Sequence, residues 1–233
     1  MLKVRIKFRK YGIMRFIGHL DVMRYFQKAM RRAGIPIAFT GGYSPHMIMS
    51  FAQPLGIGLT SDGEYVDIEL TDSIPSQTAV SALNAVMTEG IQITSFRKIS
   101  EEKRHSGMTI VAAADYLVSP KDDFPVQDLW AERFPAFLES PSIFVLKKTK
   151  RSEKELDIRP LILESHLEKE GLFLKLAAGS SQNLKPDLVM EAFYRQLGIP
   201  CPPLHYHRLD LYAKSEEASG CYVTLEQLGE EIF

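Results

Sequence analysis

The order in which two hydrophobic periods alternate along this chain constrains its fold more than any other feature. Some segments place apolar residues at every second position, which is typical of half-buried strands, and others place them at three- and four-residue steps, which is typical of helices. In the first half these segments follow the order strand, helix, strand, strand, helix, strand, and the second half repeats that order with one strand added. This order is that of the ferredoxin-like split motif. The sequence therefore predicts an α+β protein with two tandem ferredoxin-like (βαββαβ) domains and antiparallel sheets.

A short charged stretch separates the two halves. Residues 100–107, Ser-Glu-Glu-Lys-Arg-His-Ser-Gly, hold no apolar run and are predicted to be a linker. We predict a first domain over residues 1–99, a second over 108–213, and a C-terminal tail over 214–233 that forms a short helix. The added strand is predicted in a hairpin over residues 142–165 with a basic tip at 147–151.

Composition narrows the class of protein. The 233 residues are 45% hydrophobic and 24% charged, as in ordinary globular proteins. The two cysteines, Cys201 and Cys221, form no closely spaced motif, which excludes an iron–sulfur cluster bound by this chain alone. We expect no cofactor and no metal. The sequence contains no run of 18 apolar residues, so we expect a cytoplasmic protein without membrane contact.

Basic residues are concentrated at the start of the chain. Residues 1–35 hold ten Lys or Arg and one acid, a balance of +9, whereas the remainder has a balance of −10. The segment Leu-Lys-Val-Arg-Ile-Lys-Phe-Arg-Lys predicts a strand with one fully basic face. Such a face is suited to an anionic partner, or it docks on the acidic half of the same protein.

The first predicted helix has an apolar stripe and a basic side. The stripe is predicted to pack in the core and consists of Leu20, Met23, Phe26, Met30 and Ala33. The cations off this stripe are Arg24, Lys28, Arg31 and Arg32, which on their own are typical of a solvated helix face.

A glycine-rich loop and the start of this helix supply further candidate residues. Helix starts and glycine-rich backbone attract anions, and an aromatic ring stacks on a splayed base. We expect folding to bring Tyr43, Ser44 and His46 toward Gly18 and His19. The predicted nucleic-acid-binding residues are Lys3, Arg5, Lys7, Arg9, Arg15, Gly18, His19, Gly41, Gly42, Tyr43, Ser44 and His46.

Alternative roles stay open for the same residues. His19, Tyr43 and His46 are candidate acid–base catalysts of RNA cleavage, in which one group takes a proton and another donates one. In the structural alternative, His19 and Asp21 only cap the helix and Tyr43 only packs on the core.

Two other motifs carry weaker signals. His205 and His207 lie on one face of a predicted strand, but recognisable further metal ligands are missing from the sequence around them. Residues 179–183, Gly-Ser-Ser-Gln-Asn, suit either an anion site or an ordinary strand-to-helix connection, and we favour the connection.

Three motifs together resemble a known family. They are Gly-His-Leu-Asp at 18–21, Gly-Tyr-Ser-Pro-His at 42–46 and Gly-Glu-Tyr-x-Asp at 63–67, with Glu-Lys-Glu-Leu-Asp-Ile-Arg-Pro-Leu-Ile in the second half. They resemble the radical-SAM-linked protein family, a bacterial domain family of unknown function that is fused to, or encoded beside, cobalamin-type radical SAM proteins. The resemblance implies such a partner, often in a neighbourhood of RNA-processing genes. Radical chemistry would then belong to the partner, because this chain lacks the cluster cysteines.

The sequence thus leads to one function and two alternatives. We expect an RNA-binding accessory protein that presents RNA or a ribonucleoprotein to a radical SAM partner. The first alternative is an RNA endonuclease or RNA-modifying enzyme in its own right. The second is a protein-only scaffold for the radical SAM enzyme.

Overall fold

The computed structural model describes residues 1–121, 125–148, 153–216, 218 and 220–233, so residues 149–151 of the predicted basic tip lie outside the described part. The strands are β1 (Leu2–Lys10), β2 (Met49–Ala52), β3 (Thr60–Leu70), β4 (Ile91–Lys98), β5 (Val111–Pro120), β6 (Phe144–Lys148), β7 (Glu153–Asp157), β8 (Ile162–Glu168), β9 (Gly171–Ala177), β10 (Leu204–Lys214) and β11 (Tyr222–Thr224). The helices are α1 (His19–Arg32), α2 (Ser76–Asn84), α3 (Gly107–Ile110), α4 (Gln127–Leu138) and α5 (Pro186–Leu197). The predicted mixture of helices and antiparallel strands is confirmed.

None of the helices in the described ranges combines the length and apolar character needed to cross a membrane.

The chain divides into two compact units. Unit 1 comprises residues 1–112 and 208–233, and unit 2 comprises residues 113–207. The predicted domains 1–99, 108–213 and 214–233 divide the chain at other points, and the assignment of domains stays a prediction. Residues from 208 onward group with unit 1 because they bond to its first strands, as described below.

The sheet of unit 1 is built around β1 and β3. Strand β1 lies between β4 and β3, and both pairings are antiparallel. Strand β2 pairs with the second half of β3, from Tyr65 to Ile68, and β10 also neighbours β3. The order β1, α1, β2, β3, α2, β4 is the one that the hydrophobic periods predict.

Helix α1 covers the apolar face of this sheet. Phe26 lies 4.7 Å from Phe8 of β1 and 5.5 Å from Phe51 of β2, measured between ring centroids. Val22, Phe26 and Met30 are buried, as a helical stripe requires. Leu20 was expected in the same stripe but is 60% exposed, because in the first turn the buried position belongs to Val22.

Unit 2 has its own sheet and aromatic core. Its strands follow the order β5, β9, β8, and β10 neighbours β5, where the Lys121 amide donates to the Pro203 carbonyl at 3.0 Å. Trp130 of α4 donates to the Tyr194 hydroxyl of α5 at 2.9 Å. Strands β6 and β7 pair with each other, so the insertion contains two strands within the described residues where one was predicted. Helix α4 continues through Pro135 to Leu138.

The C-terminal segment of unit 1 contains a strand and turns where a short helix was predicted. Strand β11 pairs with β10, and Glu230 pairs with Lys98 at the end of β4. Ser76, at the start of α2, accepts a hydrogen bond from the Ile232 amide at 2.9 Å. The segment therefore crosses β4 and reaches α2.

We predict that Gly63 of β3 tolerates no side chain. A Cβ atom there would lie 2.6 Å from the Asp210 Cα and 2.7 Å from the Leu209 carbonyl oxygen, which are backbone atoms of β10. Gly63→Ala should lower the free energy of unfolding by about 1–3 kcal/mol, as overpacking does. Urea denaturation of the full chain measures this. Gly41→Ala is the matched control because a Cβ at Gly41 meets nothing within 4 Å; equal losses in the two variants would contradict the prediction.

Candidate functional site

The basic face of β1 is paired with acids of its own unit. The antiparallel register sets Lys3 opposite Glu69 and Arg5 opposite Asp67. Lys3 Nζ lies 3.8 Å from a Glu69 carboxylate oxygen and donates to the Glu101 carbonyl at 2.7 Å. The acidic residues of β3 thus neutralise the cations of the neighbouring strand.

Arg5 is the most deeply buried of these cations, with 2% of its surface exposed. Its Nε and Nη2 atoms donate to the two carboxylate oxygens of Asp67 at 2.7 and 2.9 Å. The same guanidinium donates to the carbonyls of His105 and Leu225, at 3.0 and 3.3 Å. Asp67 also accepts from the Gly107 amide at 2.7 Å. Arg5 is therefore a structural cation, because its donors point into the protein.

Lys7 lies in a second ion-pair network. Its Nζ is 2.8 Å from Asp210 and 3.1 Å from Glu226. Burial lowers the pKa of Lys7, but the two carboxylates outweigh this and leave the pKa raised. The Tyr65 hydroxyl donates to Asp210 at 2.5 Å, and burial together with the Asp210 charge raises the pKa of Tyr65. Lys7 thus remains charged and held by its own unit.

Arg9 is half exposed but also paired. Its Nε donates to Asp62 at 2.6 Å, and its guanidinium lies 5.5 Å from the centroid of the Tyr11 ring. All four cations of the β1 face therefore have an anionic neighbour within unit 1. This is the arrangement in which the basic face docks on the protein's own acids.

The outer side of α1 is basic and exposed. Arg24, Lys28, Arg31 and Arg32 all lie at the surface. Arg24 lies 3.4 Å from Asp21, and Arg32 donates to the Val86 carbonyl at 2.8 Å. Within the part of the chain that the structure describes, the side chains of Lys28 and Arg31 have neither a hydrogen bond nor an ion pair. The predicted site omitted these residues, although their three- and four-residue spacing was a usable signal.

The glycine-rich loop is a short hairpin with an exposed tip. Phe39 pairs with Met47 at its base, and the Thr40 amide donates to the His46 carbonyl at 2.9 Å. The Thr40 hydroxyl also accepts from the His46 amide and contacts its Nδ1, both at 3.1 Å. The residues of the tip, all exposed, are Gly41, Gly42, Tyr43, Ser44 and Pro45. Gly42 has φ +96°, a conformation that favours glycine, and Tyr43 is fully exposed.

The loop and the basic end of α1 lie at the same end of unit 1. Helix α1 ends at Arg32, and four residues later the Pro36 carbonyl accepts from the Thr71 amide. The Ala38 amide then donates to the Glu69 carbonyl at 2.7 Å, just before the loop begins. Both features therefore meet the C-terminal end of β3.

The start of α1 lies at the opposite end of β2. The His19 ring packs edge-on against Phe51, with 5.2 Å between centroids. Met47 and Phe51 are separated by four residues of extended chain, about 13 Å. The expected approach of Tyr43, Ser44 and His46 to Gly18 and His19 is therefore wrong in this structure, because β2 holds the two groups apart.

Around His19 the structure reveals a cluster that sequence reasoning missed. Buried Lys10 donates to the Ile17 carbonyl at 2.8 Å, and burial lowers its pKa. Glu64 accepts two bonds from buried Arg208, one of them at 2.9 Å. Burial also lowers the pKa of His19, which favours its neutral form. The neighbouring cavity is about 10 Å³, the space that one water molecule needs.

The structure also describes the surroundings of the two remaining motifs. The Leu184 amide donates to the Ala177 carbonyl at 2.9 Å, which closes residues 179–183 as a strand-to-helix connection. In the described ranges, His, Cys, Asp and Glu side chains form no group of three or more that could hold a metal ion, and this includes the surroundings of His205 and His207.

The fold and its surface define a class: an α+β protein with an internally neutralised basic strand and an exposed basic helix. Residues 3–186 match the model of a family described as an uncharacterized protein conserved in bacteria, DUF2344. Because this match covers most of the chain, the protein belongs to the DUF2344 family. The chain has no significant match among curated proteins.

We predict that Arg5 and Asp67 are strongly coupled. Arg5→Met should lower the free energy of unfolding by about 3–5 kcal/mol, because it leaves the Asp67 charge buried without its partner. Arg5→Met combined with Asp67→Leu should cost less than the sum of the two single changes. Denaturant unfolding of the natural chain, the two single variants and the double variant measures the coupling. As a control, Arg9→Met at the surface pair with Asp62 should cost about 0–1 kcal/mol. Strict additivity at Arg5 and Asp67 would contradict this prediction.

Proposed function

We propose that this protein is a cytoplasmic RNA-binding accessory protein that acts with a radical SAM partner, and that RNA binds where α1 ends. One observation carries the proposal: the cations of α1 that lack partners, Lys28 and Arg31, lie at the same end of unit 1 as the exposed Tyr43 ring.

The cations suit a phosphate backbone. Lys28 and Arg31 are three residues apart on a helix, so their side chains emerge on the same side, about 5–6 Å apart at Cβ. Because no acid of the described residues neutralises them, they are available to phosphates. Arg32 uses one donor on the Val86 carbonyl and keeps others, since a guanidinium has several N–H groups.

The loop suits an unstacked base. The bonds between Thr40 and His46 fix the base of the loop, so the position of Tyr43 is restrained although its ring is exposed. An exposed aromatic ring offers a stacking platform to a single-stranded base. The exposed glycines beside it leave the backbone open to a ligand.

The radical SAM partner is supported by the family resemblance of the three motifs. Cys201 and Cys221 are exposed free thiols, and the proposal assigns the radical chemistry to the partner protein. In this proposal the chain binds the RNA, and the radical SAM partner catalyses the reaction on it.

The alternative of an endonuclease that uses His19 and His46 together has less support. Phe51, which the His19 ring contacts, lies about 13 Å of extended chain from Met47, the residue after His46, whereas an acid–base pair must reach the same phosphodiester. The RNA-binding assay described below also tests the protein-only scaffold, because a scaffold of that kind binds no RNA.

We also propose that both units are variants of the ferredoxin-like fold. Unit 1 has the strand order β4, β1, β3, β2, and unit 2 has the order β5, β9, β8 with residues 204–207 of β10 beside β5 and the β6–β7 hairpin inserted. The same relative order in both supports a tandem arrangement.

We predict a salt dependence that follows the α1 cations. Binding of a labelled single-stranded oligouridine, measured by fluorescence anisotropy, should weaken with salt because bound phosphates release cations. Lys28→Gln combined with Arg31→Gln should flatten the log–log slope by about 0.7 for each lost contact. Arg9→Gln is the control, because Arg9 is occupied by Asp62. An unchanged slope in the double variant, or a flatter one in the control, would place the phosphates elsewhere.

The same assay tests Tyr43. Tyr43→Ala should weaken binding by about 1–3 kcal/mol through lost stacking, whereas Tyr43→Phe keeps the ring and should bind as the natural chain does.

Purified protein should leave total cellular RNA uncleaved. Cleavage that disappears in His46→Ala would instead establish the enzyme, and absence of any RNA binding would favour the scaffold.

A further inference from the structure

A group of large apolar side chains lies at the surface where α1 begins. Ile13 is 78% exposed, Phe16 62%, Leu20 60% and Ile57 65%. We call these four residues the helix-start patch. Single exposed apolar residues are ordinary, but contiguous exposed apolar groups mark interaction sites.

Two chain segments are joined to form the patch. Ile13 and Phe16 belong to a 3₁₀ helix, Gly12–Phe16, in which residues three apart lie on the same side. The Gly58 amide donates to the Arg15 carbonyl at 2.8 Å, which ties the Ile57 segment to this helix. Ile57 Cδ1 lies 3.7 Å from the position that a Cβ on Gly18 would occupy. Gly18 precedes Leu20 by two residues.

The patch is exposed although its backbone is anchored. Met14, in the middle of the 3₁₀ helix, is buried and packs against Gly90, where a Cβ would lie 2.5 Å from Met14 Cγ. The helix is therefore fixed to the core by one side, and Ile13 and Phe16 are held on the other. A preformed surface of this kind binds without a large ordering cost.

An unpaired cation lies within the patch. The Arg15 guanidinium is 4.8 Å from the centroid of the Phe16 ring, and no carboxylate of the described residues pairs with it. Arg and aromatic residues are the side chains most often found at the centres of protein interfaces. A partner that covers the patch therefore needs a carboxylate to pair with the Arg15 guanidinium.

We propose that the helix-start patch docks an amphipathic segment of another protein, whose apolar side chains cover Phe16 and its neighbours and whose carboxylate pairs with Arg15. This surface shares no residue with the RNA surface proposed above and lies at the other end of β2. The inference therefore holds whether or not the chain binds RNA.

Site-specific photocrosslinking tests the proposal. A benzophenone amino acid replaces Ile57 in the full chain, in the bacterium that naturally makes the protein. We expect an adduct with a different protein, and the crosslinked peptide should carry apolar residues at helical spacing with Asp or Glu within one turn. Arg15→Glu and Phe16→Asp should each reduce the adduct about tenfold or more, since both remove central contacts.

Matched variants distinguish docking at the helix-start patch from RNA binding, from unspecific crosslinking and from loss of the fold. Arg15→Lys keeps the charge and should retain much of the adduct, and Lys28→Gln with Arg31→Gln should leave it unchanged. The crosslinker at Met108, which is 59% exposed elsewhere in unit 1, should not capture the same peptide. Thermal unfolding of Arg15→Glu, a change of a half-buried charge at the surface, verifies that loss of the adduct is not loss of the fold.

Four results would overturn the proposal. They are an adduct with a second copy of this chain, an adduct with lipid alone, no adduct at Ile57, and a crosslinked peptide without acidic residues. A lipid adduct would identify the patch as a membrane contact, and a self-adduct would identify it as a homodimer interface.

Discussion

The buried pair between Arg5 and Asp67 is the interaction on which the rest of unit 1 depends. A buried charge is tolerated only when it is paired and its remaining donors are satisfied. Here the remaining donors of Arg5 bond to His105 and Leu225, and the Asp67 carboxylate also binds the Gly107 amide. One guanidinium thus joins the first strand, the third strand, the segment after β4 and the C-terminal segment. The bond from Arg5 to the Leu225 carbonyl, together with the bonds from Lys7 to Asp210 and Glu226, explains why residues from 208 onward belong to the same unit as β1.

This pairing changes the meaning of the charge in the sequence. The excess Lys and Arg of the first 35 residues are divided mainly between two elements, strand β1 and helix α1. On β1 the cations face the acids of β3 and β10, and they stabilise the fold. The outer side of α1 faces no strand, so the side chains of Lys28 and Arg31 remain in solvent. Charge counted along a sequence therefore overstates the charge that a ligand meets, and the positive charge of the proposed RNA surface comes from the helix alone.

Much of the secondary structure could be predicted from the sequence, because periods of two and of three to four are direct consequences of burying one face. The pairing of β1 was also present in the pattern: Asp67 and Glu69 alternate on β3 in the register that meets Arg5 and Lys3 in an antiparallel pair. The separation of His19 from His46 was not predictable, since it depends on the length and direction of β2. The exposure of Leu20 was missed because a helical stripe does not show where the underlying sheet ends. The cluster of Lys10, Glu64 and Arg208 joins residues far apart in sequence and left no local signal.

The discontinuity of unit 1 has a consequence for how the protein is made on the ribosome. Lys7 is synthesised about 200 residues before its partners Asp210 and Glu226. At about 5–20 residues per second, the first strand waits on the order of 10–40 s for them. During that time unit 2, which is continuous in sequence, can fold first, while Lys7 remains available to any polyanion nearby. Unit 1 is thus completed only after unit 2 has been synthesised, and until then Lys7 has neither of its two carboxylate partners.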